Sequence, residues 1–176
     1  MIVEEKTLST ERIYEGAILN LRRDKVTIKD GKTSYREIVE HRGGIVIAAI
    51  TDEGKIPVVK QFRKAAEKAV LEIPAGKLEL NEDPKDAAKR ELKEETGYTA
   101  KTIDYVNSFY SSIGYSEEIL HLFIARDLEK GATAFDDNEA IDIYEYRLDD
   151  LMKMVMDGTI EDAKSIIAIF MLNSQK

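Results

Sequence analysis

The chain reads as an α+β protein in which mixed sheets carry packed helices, and three observations lead there. The first forty residues are strand-like segments separated by turn signals, an unbroken apolar run from Ile45 to Ile50 follows, and well-marked helices appear only later, among further strands.

Strands are expected at 6–14, 17–28 and 33–41, the last two joined by Asp30-Gly31, a pair suited to a hairpin turn that needs positive φ. This segment should make a small antiparallel sheet. Gly43-Gly44 precedes a core strand at 45–50, and Asp52-Glu53-Gly54 leads into a strand at 56–63, so these two are expected to pair as a second hairpin. A short strand at 70–76 ends in a Pro/Gly break. The helix expected next, 84–96, carries signals at both ends. Asp83 is a good N-cap, Pro84 suits the first helical position, Asp86 sits in the favourable first turn, and Gly97 can supply a left-handed C-terminal cap. Strands at about 102–112, 118–125 and 141–147 follow, and helices at 148–157 and 161–173, separated by Gly158, come last. No repeat, low-complexity tract or long linker interrupts this order, so one domain over 1–176 is expected, with an N-terminal β-segment at 1–41 and a core at 42–176.

Composition narrows the function classes. A chain of 176 residues, 43% hydrophobic and 34% charged, can bury its own core without staples. The absence of Cys excludes disulfides, zinc-thiolate sites and thiol nucleophiles, and fits a reducing cytoplasm. No signal peptide is visible at the start, and no apolar run approaches a membrane span. A formal charge of −8 opposes binding to a nucleic-acid polymer. A small phosphorylated ligand stays compatible with it, because bound divalent cations and a few Arg reverse the local potential.

On the expected helix, Glu91, Glu94 and Glu95 stand at i, i+3 and i+4, so three carboxylates share one face. Oxygens converging in this way suit hard cations such as Mg²⁺ or Mn²⁺, although Glu-rich helices are also common as solvated surfaces. The wider pattern separates these readings. Gly76, five residues, Glu82, seven residues, Arg90-Glu91, apolar Leu92, one residue, Glu94-Glu95, one residue and Gly97 together resemble the Nudix box at every fixed position. With residue frequencies on the order of 0.06, seven such matches coincide by chance about once in 10⁸ windows.

The resemblance implies an α/β/α sandwich carrying the box as loop-helix-loop, and a hydrolase that splits a phosphoanhydride bond. It implies metal ligation by Glu91, Glu94, Glu95 and the carbonyl of Ala75, with Arg90 and Glu82 bracing the helix and Gly76 and Gly97 as structural positions. The final apolar position of the box is Tyr98, a change in packing. Leu71-Glu72-Ile73-Pro74-Ala75-Gly76, Gln61-Phe62-Arg63 and the strand Tyr35-Arg36-Glu37-Ile38-Val39-Glu40-His41 resemble the ADP-ribose and ADP-sugar branch, which makes Arg63, Arg36 and Glu72 expected substrate contacts, with an ordinary strand-end charge as the other reading of either Arg. In that branch a loop Glu takes a proton from the attacking water. By alignment this is Glu139, with Asp137 second, or else the loop is a solvated acidic turn. Ser112-Ile113-Gly114 departs from the branch's Ser-Pro-Gly and leaves the identity of the sugar open. The resemblance further implies a homodimer. Hydrolysis of another nucleotide, such as a dinucleoside polyphosphate or NADH, and nucleotide sensing without catalysis are the alternatives.

Overall fold

The computed structural model describes residues 2–133 and 140–175. The chain divides into two compact units, residues 1–43 with 110–119 and residues 44–109 with 120–176.

The first unit is the expected antiparallel sheet, in the order β1-β2-β3, from β1 (Thr7–Glu15), β2 (Asn20–Thr27) and β3 (Thr33–Glu40). Asp30 and Gly31 take φ of 61° and 71° in a short 3₁₀ turn between the last two strands, the left-handed geometry that a tight hairpin demands. Every residue of β1 is exposed, and Leu8, Ile13 and Tyr14 are among its large apolar side chains.

The second unit is built around β4 (Gly44–Ala49), all six of whose residues are buried. A strand covered on both faces reads as a continuous apolar run, and β4 pairs in parallel with β9 (Ile119–Lys130), as doubly covered strands often do. Alternation then sorts its side chains. Ile45, Ile47 and Ala49 pack with Ala87, Ala88 and Leu92 of α1 (Pro84–Thr96), whereas Val46 and Ala48 pack with Ala168, Ile169 and Leu172 of α3 (Ala163–Asn173). Helices thus cover both faces of a mixed sheet ordered β7-β4-β9-β8, which includes β7 (Ala75–Lys77) and β8 (Tyr98–Tyr110). A second, antiparallel sheet, β10-β5-β6, joins β10 (Ile141–Arg147), β5 (Lys55–Arg63) and β6 (Lys68–Glu72), and α2 (Leu148–Met156) adds Leu151 to the core.

Two expectations fail in instructive ways. The strands at 45–50 and 56–63 do not form a hairpin: the turn closes through Thr51 N–H to Lys55 C=O at 2.9 Å, but β4 and β5 then enter different sheets. A strand buried on both faces recruits β7 and β9 as neighbours and leaves β5 to pair with β6 and β10. The expected strand at 70–76 divides at Ile73-Pro74, with β6 pairing β5 and β7 pairing β4. Proline has no N–H to give a ladder, so the chain changes sheet there, while its carbonyl accepts from Ile47 N–H at 2.9 Å.

Candidate active site

Helix α1 spans the expected residues, and its ends explain why. The Asp83 carboxylate accepts from Lys85 N–H at 2.8 Å, Pro84 opens the helix, and Gly97 at φ 75° donates its N–H to Lys93 C=O at 2.9 Å. Burying Ala87, Ala88 and Leu92 against β4 fixes the helix rotation. The same rotation leaves Arg90, Glu91 and Glu94 partly open and buries Glu95 to 4% exposure.

Three carboxylates and one guanidinium meet on this side of α1. Arg90 reaches Glu82 with Nε and Nη2 at 2.9 and 3.0 Å, and with Nη1 it donates to Glu91 and Glu94 at 2.8 and 3.0 Å. Hydrogen bonding to Glu82, reinforced by Glu91 and Glu94, raises the Arg90 pKa still further, and the same contact holds Glu82 below the ordinary carboxylate range. The Glu82 carboxylate also accepts from Glu79 N–H at 2.9 Å, which closes the loop ahead of the helix.

Glu95 takes a different partner. Its Oε2 accepts from Ala75 N–H at 3.1 Å, so the backbone of β7 lies beside the helix. The next residue, Gly76, is required by space, because a Cβ there would stand 1.8 Å from Cδ of Glu91. Glu91 and Glu95 are thereby held against β7 by a glycine and a backbone amide. Among the described residues, no three Asp, Glu or His side chains are gathered tightly enough to form a metal centre unaided, and Arg90 stands between Glu91 and Glu94. The donor set consists nonetheless of hard oxygens, and the Gly76 cradle brings one carboxylate directly onto the strand, an arrangement fitted to a divalent cation.

A second polar cluster lies at the end of β6. Glu72, 2% exposed, accepts from Nε and Nη2 of Arg63 at 2.6 and 2.7 Å, a bidentate fork, and also from Nζ of Lys164. Burial alone would raise the Glu72 pKa, but Arg63 and Lys164 outweigh it and hold the carboxyl below its ordinary value. Glu72 raises the Arg63 pKa in turn, with Glu95 of α1 adding to the effect. Asp162, the N-cap of α3, accepts from Ser165 N–H at 3.0 Å, and the Ser165 hydroxyl oxygen accepts from Ile73 N–H at 2.7 Å, so α3 is tied to the β6–β7 corner. Neither Lys164 nor Ser165 stands out in the sequence. The signal available is Asp162, placed as an N-cap three residues before Ser165, but the partner of Lys164 is 92 positions away.

Arg36 lies on β3 in the first unit, where its Nε donates to Glu5 at 2.9 Å and its Nη1 to the Tyr35 carbonyl at 2.9 Å. Glu139 and Asp137 lie outside the described residues. Tyr98 packs in the core at 7% exposure and donates its hydroxyl to Glu145 at 2.7 Å, and burial with this bond pushes its pKa up to about 12. The departure at the last position of the box is a packing change with one polar tether.

Comparison with known proteins identifies the family. The NUDIX domain model matches residues 40–168, and a model described as the nucleoside diphosphate sugar hydrolase N-terminal domain matches residues 5–39. A methanol dehydrogenase activator from Bacillus methanolicus is 44% identical over 177 residues, covering 99% of this chain and 96% of that protein. An ADP-ribose pyrophosphatase from Bacillus subtilis (strain 168) is 45% identical over 169 residues, covering 95% and 91%. A crystal structure of an ADP compounds hydrolase superposes with a TM-score of 0.88 at 19% identity, covering 99% of this chain and 95% of that one, and so shares its fold. With the box on α1 and a family model spanning most of its length, the chain belongs to the Nudix domain family.

Proposed function

We propose that this Nudix pyrophosphohydrolase cleaves the diphosphate of ADP-ribose, or of a related nucleoside diphosphate sugar, to a nucleoside monophosphate and a sugar phosphate. The observation that carries this reading is the adjacency of two clusters, the Glu91/Glu94/Glu95 face of α1 and the Arg63–Glu72 fork, linked by the bond from Ala75 N–H, three residues beyond Glu72, to Glu95. The match of residues 5–39 to a nucleoside diphosphate sugar hydrolase segment supports the substrate class.

Glu91, Glu94, Glu95 and the Ala75 carbonyl would hold Mg²⁺ or Mn²⁺, and such ions when bound neutralise a diphosphate and lower the pKa of a nearby water. Arg63 uses Nε and Nη2 on Glu72, which leaves Nη1 to donate to a diphosphate oxygen. Arg36 and Glu72 complete the proposed substrate contacts. Glu139, with Asp137 as substitute, takes the proton from the attacking water. Arg90 holds Glu91 and Glu94 in place, since either carboxylate alone on a charged helix face would turn toward solvent.

The chain works as a single domain in a cytoplasmic homodimer, with the exposed apolar side chains of β1 covered by a second copy. Sedimentation at micromolar concentration should give about twice 19.9 kDa, and a 19.9 kDa species alone would remove the dimer. Among the described residues no helix is long and apolar enough to cross a membrane. A second reading rests on the Bacillus methanolicus relative, a methanol dehydrogenase activator, and makes the chain an activator of a dehydrogenase. AMP release from ADP-ribose with Mg²⁺ and purified protein alone supports the first reading. Stimulation of a dehydrogenase by a protein that releases no AMP would support the second.

A further inference from the structure

Lys164 is a charged side chain with only 15% of its surface exposed, and a lysine so far out of water must be compensated. Its Nζ bonds Glu72 and lies 3.0 Å from Oδ2 of Asp162. Glu72 is in turn gripped by the Arg63 fork, so two cations and two anions form one chain running from the α3 N-terminus to the strand end beside α1. Arg63 is the group of the four that opens most to solvent, with 43% of its side chain exposed against 2% for Glu72.

Charge counting shows what Lys164 contributes. With it the four groups are neutral, and the outer edge of Arg63 presents its donors without a net negative charge behind them. Without it Glu72 and Asp162 leave one uncompensated negative charge behind Arg63, next to an already acidic helix face. A diphosphate approaching Arg63 would meet that charge at short range in a poorly solvated corner. Release of Glu72 from Lys164 would also free the carboxylate to rotate and take the Arg63 fork with it.

We infer that Lys164 is a positioning residue for substrate, acting through Glu72 to hold Arg63 oriented and electrostatically free for a diphosphate. The inference rests on the proposed nucleoside diphosphate sugar reading. It assigns Lys164 to binding and not to bond cleavage, because its Nζ is occupied by two carboxylates, those of Glu72 and Asp162.

The test compares wild type, K164M, K164R and the double variant D162N/K164M in two measurements: steady-state hydrolysis of ADP-ribose with Mg²⁺, and calorimetric titration of ADP-ribose with Ca²⁺ in place of Mg²⁺. K164M should raise KM and Kd about tenfold, the effect of one added unit charge near a bound anion, while kcat changes by less than about threefold. K164R should recover most of the loss. D162N/K164M, which removes one charge of each sign and keeps a capping acceptor, should also recover a large part of it, and this variant still decides the question if K164M alone does not fold. A lower melting temperature and reduced kcat with KM and Kd unmoved would show a merely structural lysine and overturn the inference, as would a double variant no better than K164M. Wild-type protein that binds ADP-ribose without hydrolysing it would sink the substrate reading, while the Kd comparison would still judge Lys164.

Discussion

Replacing Gly76 with Ala probes the metal-facing side of α1 through a single methyl group. Gly76 does not have positive φ, so Ala meets no conformational penalty there, and the effect is crowding alone. The new Cβ would lie 1.8 Å from Cδ of Glu91, whereas ordinary contact begins near 3.4 Å, so one group must retreat by about 1.6 Å. The strand cannot supply this movement, because Gly76 is in register with Ile45 of the fully buried β4. Glu91 therefore swings away and stretches or breaks its 2.8 Å bond to Arg90. Loss of one partly buried charge-assisted bond costs about 1–2 kcal/mol of stability. A displacement of this size at a ligand costs about 10²-fold in kcat, with the Mg²⁺ concentration for half-maximal rate moving upward. Thermal unfolding and a Mg²⁺ titration of AMP release from ADP-ribose measure both. A G76A protein with kcat within about threefold of wild type and an unchanged Mg²⁺ requirement would refute the assignment of Glu91 to the metal.

Glu94→Gln and Glu95→Gln should each lower kcat by at least about 10²-fold with the fold retained, and near-normal turnover of both at saturating Mg²⁺ would mark α1 as a plain surface helix. Glu139→Gln should lower kcat and flatten the acid limb of its pH profile while the Kd for ADP-ribose stays nearly constant, and an unchanged kcat would move the base role to Asp137 or the box helix. Glu72→Gln should destabilise the protein by about 3 kcal/mol at neutral pH, because it breaks a buried, doubly paired carboxylate. The Glu72 pKa is depressed below its ordinary 4.5, so its contribution is complete above that value and lost as pH falls through the folded pKa. Urea denaturation should accordingly show the gap between wild type and E72Q narrowing below about pH 4, and a gap constant down to the acid unfolding limit would contradict the ion-pair account.

Legibility follows the range of the interactions. Helix α1 is readable to the residue because its signals, Asp83, Pro84 and Gly97, act within one turn of each end. The Asp30-Gly31 hairpin is readable for the same reason, and the buried β4 declares itself through its apolar run. Pairing between β4 and β5 is misjudged from sequence because a short turn normally joins neighbours, whereas here the core requirement of β4 outweighs it. The division at Pro74 is visible as a break, but which sheet each half joins depends on Val59 and Val46, distant in sequence. The candidate site divides likewise. The carboxylates at i, i+3 and i+4 are local, but the bond of Lys164 to Glu72, the partner of Arg63, depends on a helix that begins about ninety residues later.

The central claim is that a nucleoside diphosphate sugar is the preferred substrate, and competition among substrates at one Mg²⁺ concentration tests it most directly. Rates of monophosphate release from ADP-ribose, ADP-glucose, diadenosine tetraphosphate, NADH and 8-oxo-dGTP would be compared as kcat/KM. The account predicts that ADP-ribose or ADP-glucose leads, with AMP and the sugar phosphate as products. A lead of more than about tenfold for a triphosphate or a dinucleoside polyphosphate, about 1.4 kcal/mol of transition-state preference, would contradict it.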